Sequence, residues 1–151
     1  MKYYTMDWWA GGCDDSNDPI EAYWRYIDQV RAQLPPGLKR LADTNLHDAH
    51  LRRLSCSFIH RTVAMEFNVL QIVEPNRSTY RRRVSVVYAG VESIASAADP
   101  EVGLGGPHGY GDHGYDEIEV LQPGAYEHRM LFSTGIELVV RFTDVTVEEL
   151  E

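Results

Sequence analysis

The sequence predicts an α+β domain, in which a single antiparallel β-sheet of about six strands carries one principal N-terminal helix on one face. Apolar residues recur every three to four positions before residues 46–51 and mostly every two positions after them, which are the periods of a helix and a strand. No helix of useful length separates the strands, so parallel βαβ units are not expected. The length of 151 residues indicates one domain over residues 1–151.

The principal helix is predicted to begin at Asp18. Asp18 can cap the first turn, and Pro19 suits the first helical position. The apolar residues that follow have helical spacing and are expected to form one buried face: Ile20, Tyr23, Trp24, Ile27, Val30 and Leu34. The Pro-Pro-Gly sequence at 35–37 ends this helix, and Leu38 and Leu41 indicate one or two further helical turns.

Strands are predicted where apolar and polar residues alternate. The alternating runs are residues 54–58, 63–69, 82–88, 118–120, 128–132 and 136–142. Turn sequences separate several of these runs, and Ser-Thr-Gly at 133–135 joins the last two as a hairpin. The short connections favour antiparallel neighbours.

The chain is acidic, with 14 basic and 23 acidic residues and a net charge of −9. Because this charge repels phosphate groups, nucleic acids and anionic membranes are not expected partners. The same charge suits a basic protein partner and would speed its encounter with the chain. Plain solubility is the alternative explanation.

The two cysteines indicate a reducing compartment. Cys13 lies in a polar loop, and Cys56 lies in a strand pattern where a buried thiol is expected. Two isolated cysteines form neither a disulfide framework nor a cysteine zinc site. The first residues lack the basic and apolar regions of a signal peptide, and no long apolar run occurs, so a cytoplasmic location is expected.

Histidines and aspartates collect in two segments, at 47–50 and within a glycine-rich loop predicted over residues 99–115. Imidazole and carboxylate groups are ligands of divalent metals, and glycines allow a loop to bring them together. The candidate metal ligands are His47, His50, His108, Asp112 and His113. Their spacing matches no established metal motif, so solvent-exposed loop histidines remain the alternative. No nucleophile motif accompanies them, which favours a non-enzymatic role.

Aromatic residues are concentrated near the N-terminus. Exposed Trp and Tyr side chains are typical of protein-binding surfaces, so these residues are candidate partner-binding residues: Tyr3, Tyr4, Trp8 and Trp9. Because Trp8 and Trp9 are adjacent, one is expected to point inward and the other to stay exposed. The alternative is that the aromatic residues belong to the core.

Three short motifs carry a family resemblance. They are Lys2-Tyr3-Tyr4-Thr5 with Trp8-Trp9, then Leu46-His47-Asp48-Ala49, and the strand Val84-Ser85-Val86-Val87-Tyr88-Ala89-Gly90-Val91. In these motifs the chain resembles a set of small bacterial domains of uncharacterised role, which combine an aromatic N-terminal segment, a helix and meandering strands. Some of those domains are grouped with immunity proteins that neutralise toxins of polymorphic secretion systems. The resemblance implies a similar fold and an immunity-type role.

The sequence therefore predicts a non-enzymatic protein-binding module with a basic partner and no cofactor. One alternative is a metal-binding protein or metal-dependent enzyme that uses the His and Asp residues of 47–50 and 108–116. Another is a homo-oligomeric structural domain that pairs through a sheet edge or a helix face.

Overall fold

The computed structural model describes residues 1–13, 18–74, 77–97 and 109–150, without the side chains of 70–74 and 77–81. The helices are α1 (Met6–Ala10), α2 (Pro19–Val30) and α3 (Pro36–Asp43), with a 3-10 turn at Arg31–Gln33. The strands are β1 (His50–Ser57), β2 (Thr62–Glu74), β3 (Arg77–Ala89), β4 (Ser93–Ala97), β5 (His113–Gln122), β6 (Ala125–Phe132), β7 (Glu137–Phe142) and β8 (Asp144–Leu150). Within the described ranges, no helix is both long and apolar enough to cross a membrane.

The described strands form two antiparallel sheets of four strands each. The first has the order β1-β2-β3-β8, and the second has the order β4-β7-β6-β5. The predicted α+β class and antiparallel pairing are confirmed, but the single sheet of about six strands is wrong. β4 was missed because its sequence, Ser-Ile-Ala-Ser-Ala, has little apolar alternation. β8 was missed because it follows β7 after only Thr143 and enters the other sheet.

The core lies between the two sheets. The first sheet contributes Val63, Met65, Phe67, Val84, Val86, Tyr88, Val145 and Val147, and the second contributes Ile118, Met130, Phe132, Leu138, Val140 and Phe142. Tyr88 on β3 packs against Phe142 on β7, with 4.9 Å between the ring centroids. Alternation of apolar residues on β3 and β7 buries one face of each strand, as the sequence pattern predicts, whereas β6 is buried on both faces.

The segment at 46–51, where the period changes, joins the two sheets at one corner. The amide of His113 donates to the Ala49 carbonyl, and the amide of Asp48 donates to the His113 carbonyl, both at 2.8 Å. The next residue, His50, forms a single bridge with Asp112. The start of β1 is therefore fixed to the start of β5, and residues 113–115 belong to a strand rather than to the predicted loop over 99–115.

Helix α2 begins where the sequence predicts, with the Asp18 side chain accepting from the Ile20 amide at 2.9 Å. The helix lies along the outer edge of β5 rather than on a sheet face, because two of its tyrosine hydroxyls bond that edge. Tyr23 accepts from the amide of Ile118 at 2.7 Å, and Tyr26 accepts from the amide of Val120 at 2.9 Å. These bonds satisfy edge amides that a strand would otherwise leave unpaired.

The predicted buried face of α2 is only partly correct. Tyr23 and Ile27 are buried, but Ile20 and Trp24 are 39% and 45% exposed. A helix that packs against a strand edge covers a narrower stripe than a helix that packs on a sheet face. The further helical turns predicted around Leu38 are confirmed as α3, which packs against β8.

Cys56 corrects another expectation, since the structure exposes it. It pairs with the buried Val63 but lies on β1, an edge strand, beside an open cavity of about 250 Å³. Its side chain therefore points toward the core side of the sheet at a place where the core is not closed.

Candidate functional site

The main cavity of about 400 Å³ lies among α2, the turn before β1 and the start of β5. Its lining includes aromatic rings from three separate segments, contributed by Tyr4, Tyr23, Trp24 and Tyr115. Two carboxylates, Asp43 and Asp116, also line it, whereas the described lining contains no lysine or arginine. The cavity therefore combines aromatic walls with two carboxylates, of which Asp43 pairs with Arg31 at 2.8 Å.

Asp116 connects this cavity to the core. Its Oδ2 atom accepts a hydrogen bond from Nε2 of His128 at 2.9 Å, and its side chain keeps 25% of its exposure. His128 is fully buried, and its Nδ1 atom lies 2.6 Å from the hydroxyl of Tyr88. A chain of polar groups from β3, β6 and β5 thus runs from between the sheets to the cavity.

The hydrogen bonds and pKa shifts determine the charges of Asp116 and Tyr88 in this chain of polar groups. Burial alone would raise the pKa of Asp116, but the hydrogen bond and charge of His128, with smaller effects of other histidines, lower it overall. Asp116 is therefore an anionic acceptor, and Nε2 of His128 carries the hydrogen. Burial raises the pKa of Tyr88 well above its usual value, so its phenol stays neutral, and its hydroxyl lies within hydrogen-bond distance of Nδ1 of His128.

This arrangement suits binding better than acid–base catalysis. A carboxylate whose pKa is lowered is a weak base at neutral pH and takes up protons poorly. The hydroxyl group of Thr44 also lines the cavity, but its hydrogen is already used in a bond to the backbone carbonyl of Arg40 at 2.6 Å. A fixed carboxylate beside aromatic rings instead favours a bound cation.

The aromatic walls are held by contacts with one another. The ring of Tyr4 stacks on that of Tyr115 at 4.9 Å and meets the ring of Tyr23 edge-on at 5.5 Å. Burial raises the pKa of both Tyr4 and Tyr23, so both remain neutral phenols. Trp24 extends the wall toward solvent, with its ring 6.1 Å from that of Tyr23.

Glu117, next to Asp116, anchors the N-terminal segment beside the cavity. It is only 2% exposed, and its carboxylate accepts from the amides of Lys2, Tyr3 and Tyr4 at 2.6 to 2.8 Å. These bonds hold Tyr4 against β5, although the two segments are far apart in the sequence.

The predicted partner-binding aromatics occupy different environments. Tyr4 and Trp8 are only 4% and 9% exposed and pack against each other in the core, which is the alternative that the sequence left open for these aromatic residues. Tyr3 and Trp9 are half-buried. Trp9 packs over Gly114 and meets Tyr115 edge-on at 5.4 Å. Tyr4 alone of the four lines the cavity.

Of the predicted metal ligands that the structure describes, only His50 and Asp112 form a pair, and this pair is not part of a metal-binding group. His47 lies at the cavity with Nδ1 3.1 Å from Asp48, and His50 has Nδ1 3.2 Å from Asp112. His113 is fully buried. Within the part of the chain that the structure describes, no three His, Cys, Asp or Glu residues form a group that could hold a metal ion. His108 lies outside the described residues.

His113 has a separate structural role. Its ring packs edge-on against Phe67 at 5.9 Å and Phe132 at 5.5 Å between centroids. The backbone of Leu46 favours the protonated form of the ring. Within the described residues, however, neither ring nitrogen makes a hydrogen bond of ordinary geometry. Burial lowers the pKa of His113 to about 4, so the ring is neutral at neutral pH.

The sequence interpretation missed His128 and Tyr88, although a signal for both was present. Each lies on the apolar phase of a predicted strand, where a polar residue is expected to have a buried partner. Asp116 shares the phase of Ile118 and Val120 and was considered only among possible metal-binding residues. The register of β5 and β6 places Asp116 diagonally beside His128, and Tyr88 reaches His128 from the other sheet.

Comparison of the sequence with protein-family models and with curated proteins finds no match.

Proposed function

We propose that the protein is a non-enzymatic binding module for a basic protein partner, of the immunity type that its sequence motifs resemble. The observation that supports this proposal most is the cavity beside α2, whose lining carries Asp116 and Asp43 but no described lysine or arginine. The net charge of −9 provides a long-range attraction for the same kind of partner.

The cavity and the net charge act at different stages of binding. The acidic surface accelerates the approach of a basic protein, whereas a residue inserted into an aromatic pocket slows its dissociation. Trp24, which is 45% exposed at the cavity, supplies aromatic surface that a partner can cover. Binding of this kind neutralises a toxin by covering its basic functional surface.

Selection of random 15-residue displayed peptides on the immobilised protein tests the proposal. The enriched peptides are expected to be more basic than the starting library and to lose affinity as salt concentration rises. Trp24→Ala is expected to weaken the selected peptides by about tenfold, since aromatic anchors dominate such interfaces.

Leu121→Ala is the matched control. Leu121 is 41% exposed, close to the value for Trp24, but it does not line the cavity. Enriched peptides with the charge of the starting library, or equal losses in both variants, would contradict the proposed function.

A further inference from the structure

We propose that the cavity beside α2 recognises one primary ammonium group, the side chain of a lysine of the partner, with Asp116 as its counter-ion. This inference rests on the proposed binding function and names the chemical group that the cavity accepts. Three observations support it: the position of the Asp116 carboxylate, the hydrogen bonding of its two oxygens, and the aromatic surface around it.

The carboxylate of Asp116 is held from behind by the core. Oδ2 already accepts from His128, whereas Oδ1 lies 4.0 Å from Nε2 of His113, beyond hydrogen-bond distance. The carboxylate lines the cavity and is partly exposed there. One oxygen is thus committed to the protein, and the other has no hydrogen-bond partner among the described residues, so it is available to a ligand.

A carboxylate used in this way favours an ammonium over a guanidinium. A guanidinium makes its strongest contact as a planar fork to both carboxylate oxygens, whereas an ammonium is a compact charge that one oxygen can serve. Because His128 occupies Oδ2, the two-oxygen contact is weakened. The structure therefore predicts a preference for lysine over arginine.

The aromatic walls suit the rest of a lysine side chain. Tyr4, Tyr23 and Tyr115 present rings near the carboxylate, where a cation gains from their electron-rich faces. Ile20 and Trp24, which are partly exposed at the same cavity, can cover the methylene chain. A cavity of about 400 Å³ is large enough for one such side chain.

His128 and Tyr88 are positioning residues for this site. The Tyr88 hydroxyl fixes the His128 ring, and the ring in turn fixes Asp116. Tyr88→Phe removes only the hydroxyl, and we expect it to weaken ammonium binding less than the loss of Asp116 does. The measurement that distinguishes this role is the ratio of guanidinium to ammonium affinity. Because Asp116 would be freer to rotate in Tyr88→Phe, this ratio should rise.

The test uses n-butylammonium, n-butylguanidinium and 1-butanol as probes of equal chain length, titrated into the full chain and followed by backbone amide NMR. We expect n-butylammonium to shift the amides of 114–118 and to bind more tightly than the other two probes. Asp116→Asn should weaken it by at least about tenfold, since it removes the counter-ion.

Asp28→Asn is the matched control. Asp28 is an exposed carboxylate of α2 that does not line the cavity, so the loss of the same charge there should change affinity less than about threefold. Equal affinity for 1-butanol and n-butylammonium, tighter binding of n-butylguanidinium, or no effect of Asp116→Asn would each overturn the inference.

A second variant pair keeps the test valid if Asp116→Asn does not fold. Thr44 lines the cavity, so Thr44→Lys brings a tethered ammonium to it and should block the n-butylammonium probe. Thr44→Met introduces a side chain of similar length without a charge, so it should weaken n-butylammonium binding less than Thr44→Lys does. Equal probe affinity in the two variants would overturn the inference.

The two proposals fail in different ways. Selected basic peptides that bind Asp116→Asn as well as the unmodified protein would leave the binding-module proposal standing and refute the lysine site. Ammonium binding that depends on Asp116, without enrichment of basic peptides, would refute the proposed partner while retaining the cation site.

Discussion

His113→Leu is expected to remove a pH-dependent loss of stability that a buried neutral histidine imposes. The folded-state pKa of His113 is lowered to about 4, mainly by burial, with the charge of Asp116 opposing the shift and those of His128 and His47 adding to it. In the unfolded chain the same ring takes up a proton near pH 6.5. The unfolded state therefore binds more protons between these two values.

The sign and size of the effect follow from this difference. As the pH falls from 6.5 toward 4, the unfolded state is stabilised by protonation and the free energy of unfolding decreases; above pH 6.5 the contribution is constant. A shift of about 2.5 pH units at about 1.4 kcal/mol per unit gives a loss of about 3 kcal/mol. Because the ring is fully buried, solvent screening does not reduce this figure.

Urea unfolding at several pH values between 4.5 and 7.5 measures the effect. The difference in unfolding free energy between His113→Leu and the unmodified protein should grow as the pH falls, while the contributions of carboxyl groups remote from His113 cancel. At pH 7.5 the variant should be at least as stable, since leucine adds no unpaired buried nitrogen.

His60→Leu is the control, since His60 lies exposed on the turn between β1 and β2. It should leave the pH dependence of stability unchanged. A His113→Leu profile parallel to that of the unmodified protein across this pH range would refute the assignment of a buried neutral imidazole.

Three further substitutions test the packing around the cavity by thermal unfolding. Gly114→Ala places a methyl group 2.3 Å from the Trp9 ring and should lower the free energy of unfolding by about 1 to 3 kcal/mol. Because Trp9→Ala removes the clashing ring, the double variant should lose less than the sum of the two single losses. Glu117→Gln weakens the acceptor of three N-terminal amides and should cost about 2 kcal/mol, against little for the more exposed Glu119→Gln. Tyr88→Phe leaves a buried imidazole nitrogen unpaired and should cost about 1 to 3 kcal/mol. Unchanged melting temperatures would refute the corresponding contacts.

The parts of the fold that depend on local chemistry could be predicted from the sequence. The Asp18 cap and the turn at 133–135 are set by residues within a few positions of one another, and the structure has both where they are expected. The division into two sheets could not be predicted in this way. It depends on which strand β4 and β8 pair with, and alternation along one strand carries no information about its neighbour.

The candidate site was harder to predict because its parts come from distant segments. Tyr4, Tyr23, His47 and Asp116 line one cavity only after α2 and the N-terminal segment have packed on the edge of β5. Trp24 was also predicted wrongly, because helical spacing favoured a buried side chain whereas the structure leaves it 45% exposed at the cavity.

The central claim is that Asp116 is an anionic carboxylate, fixed by His128 and open to a cation. The most direct measurement is the side-chain carboxyl ¹³C resonance of Asp116, followed by NMR against pH and then against n-butylammonium at pH 7. We expect the resonance to titrate below the usual aspartate pKa of 3.8 and to move when the ammonium is added. Titration at or above that pKa, with a resonance that does not respond to the ammonium, would contradict the account.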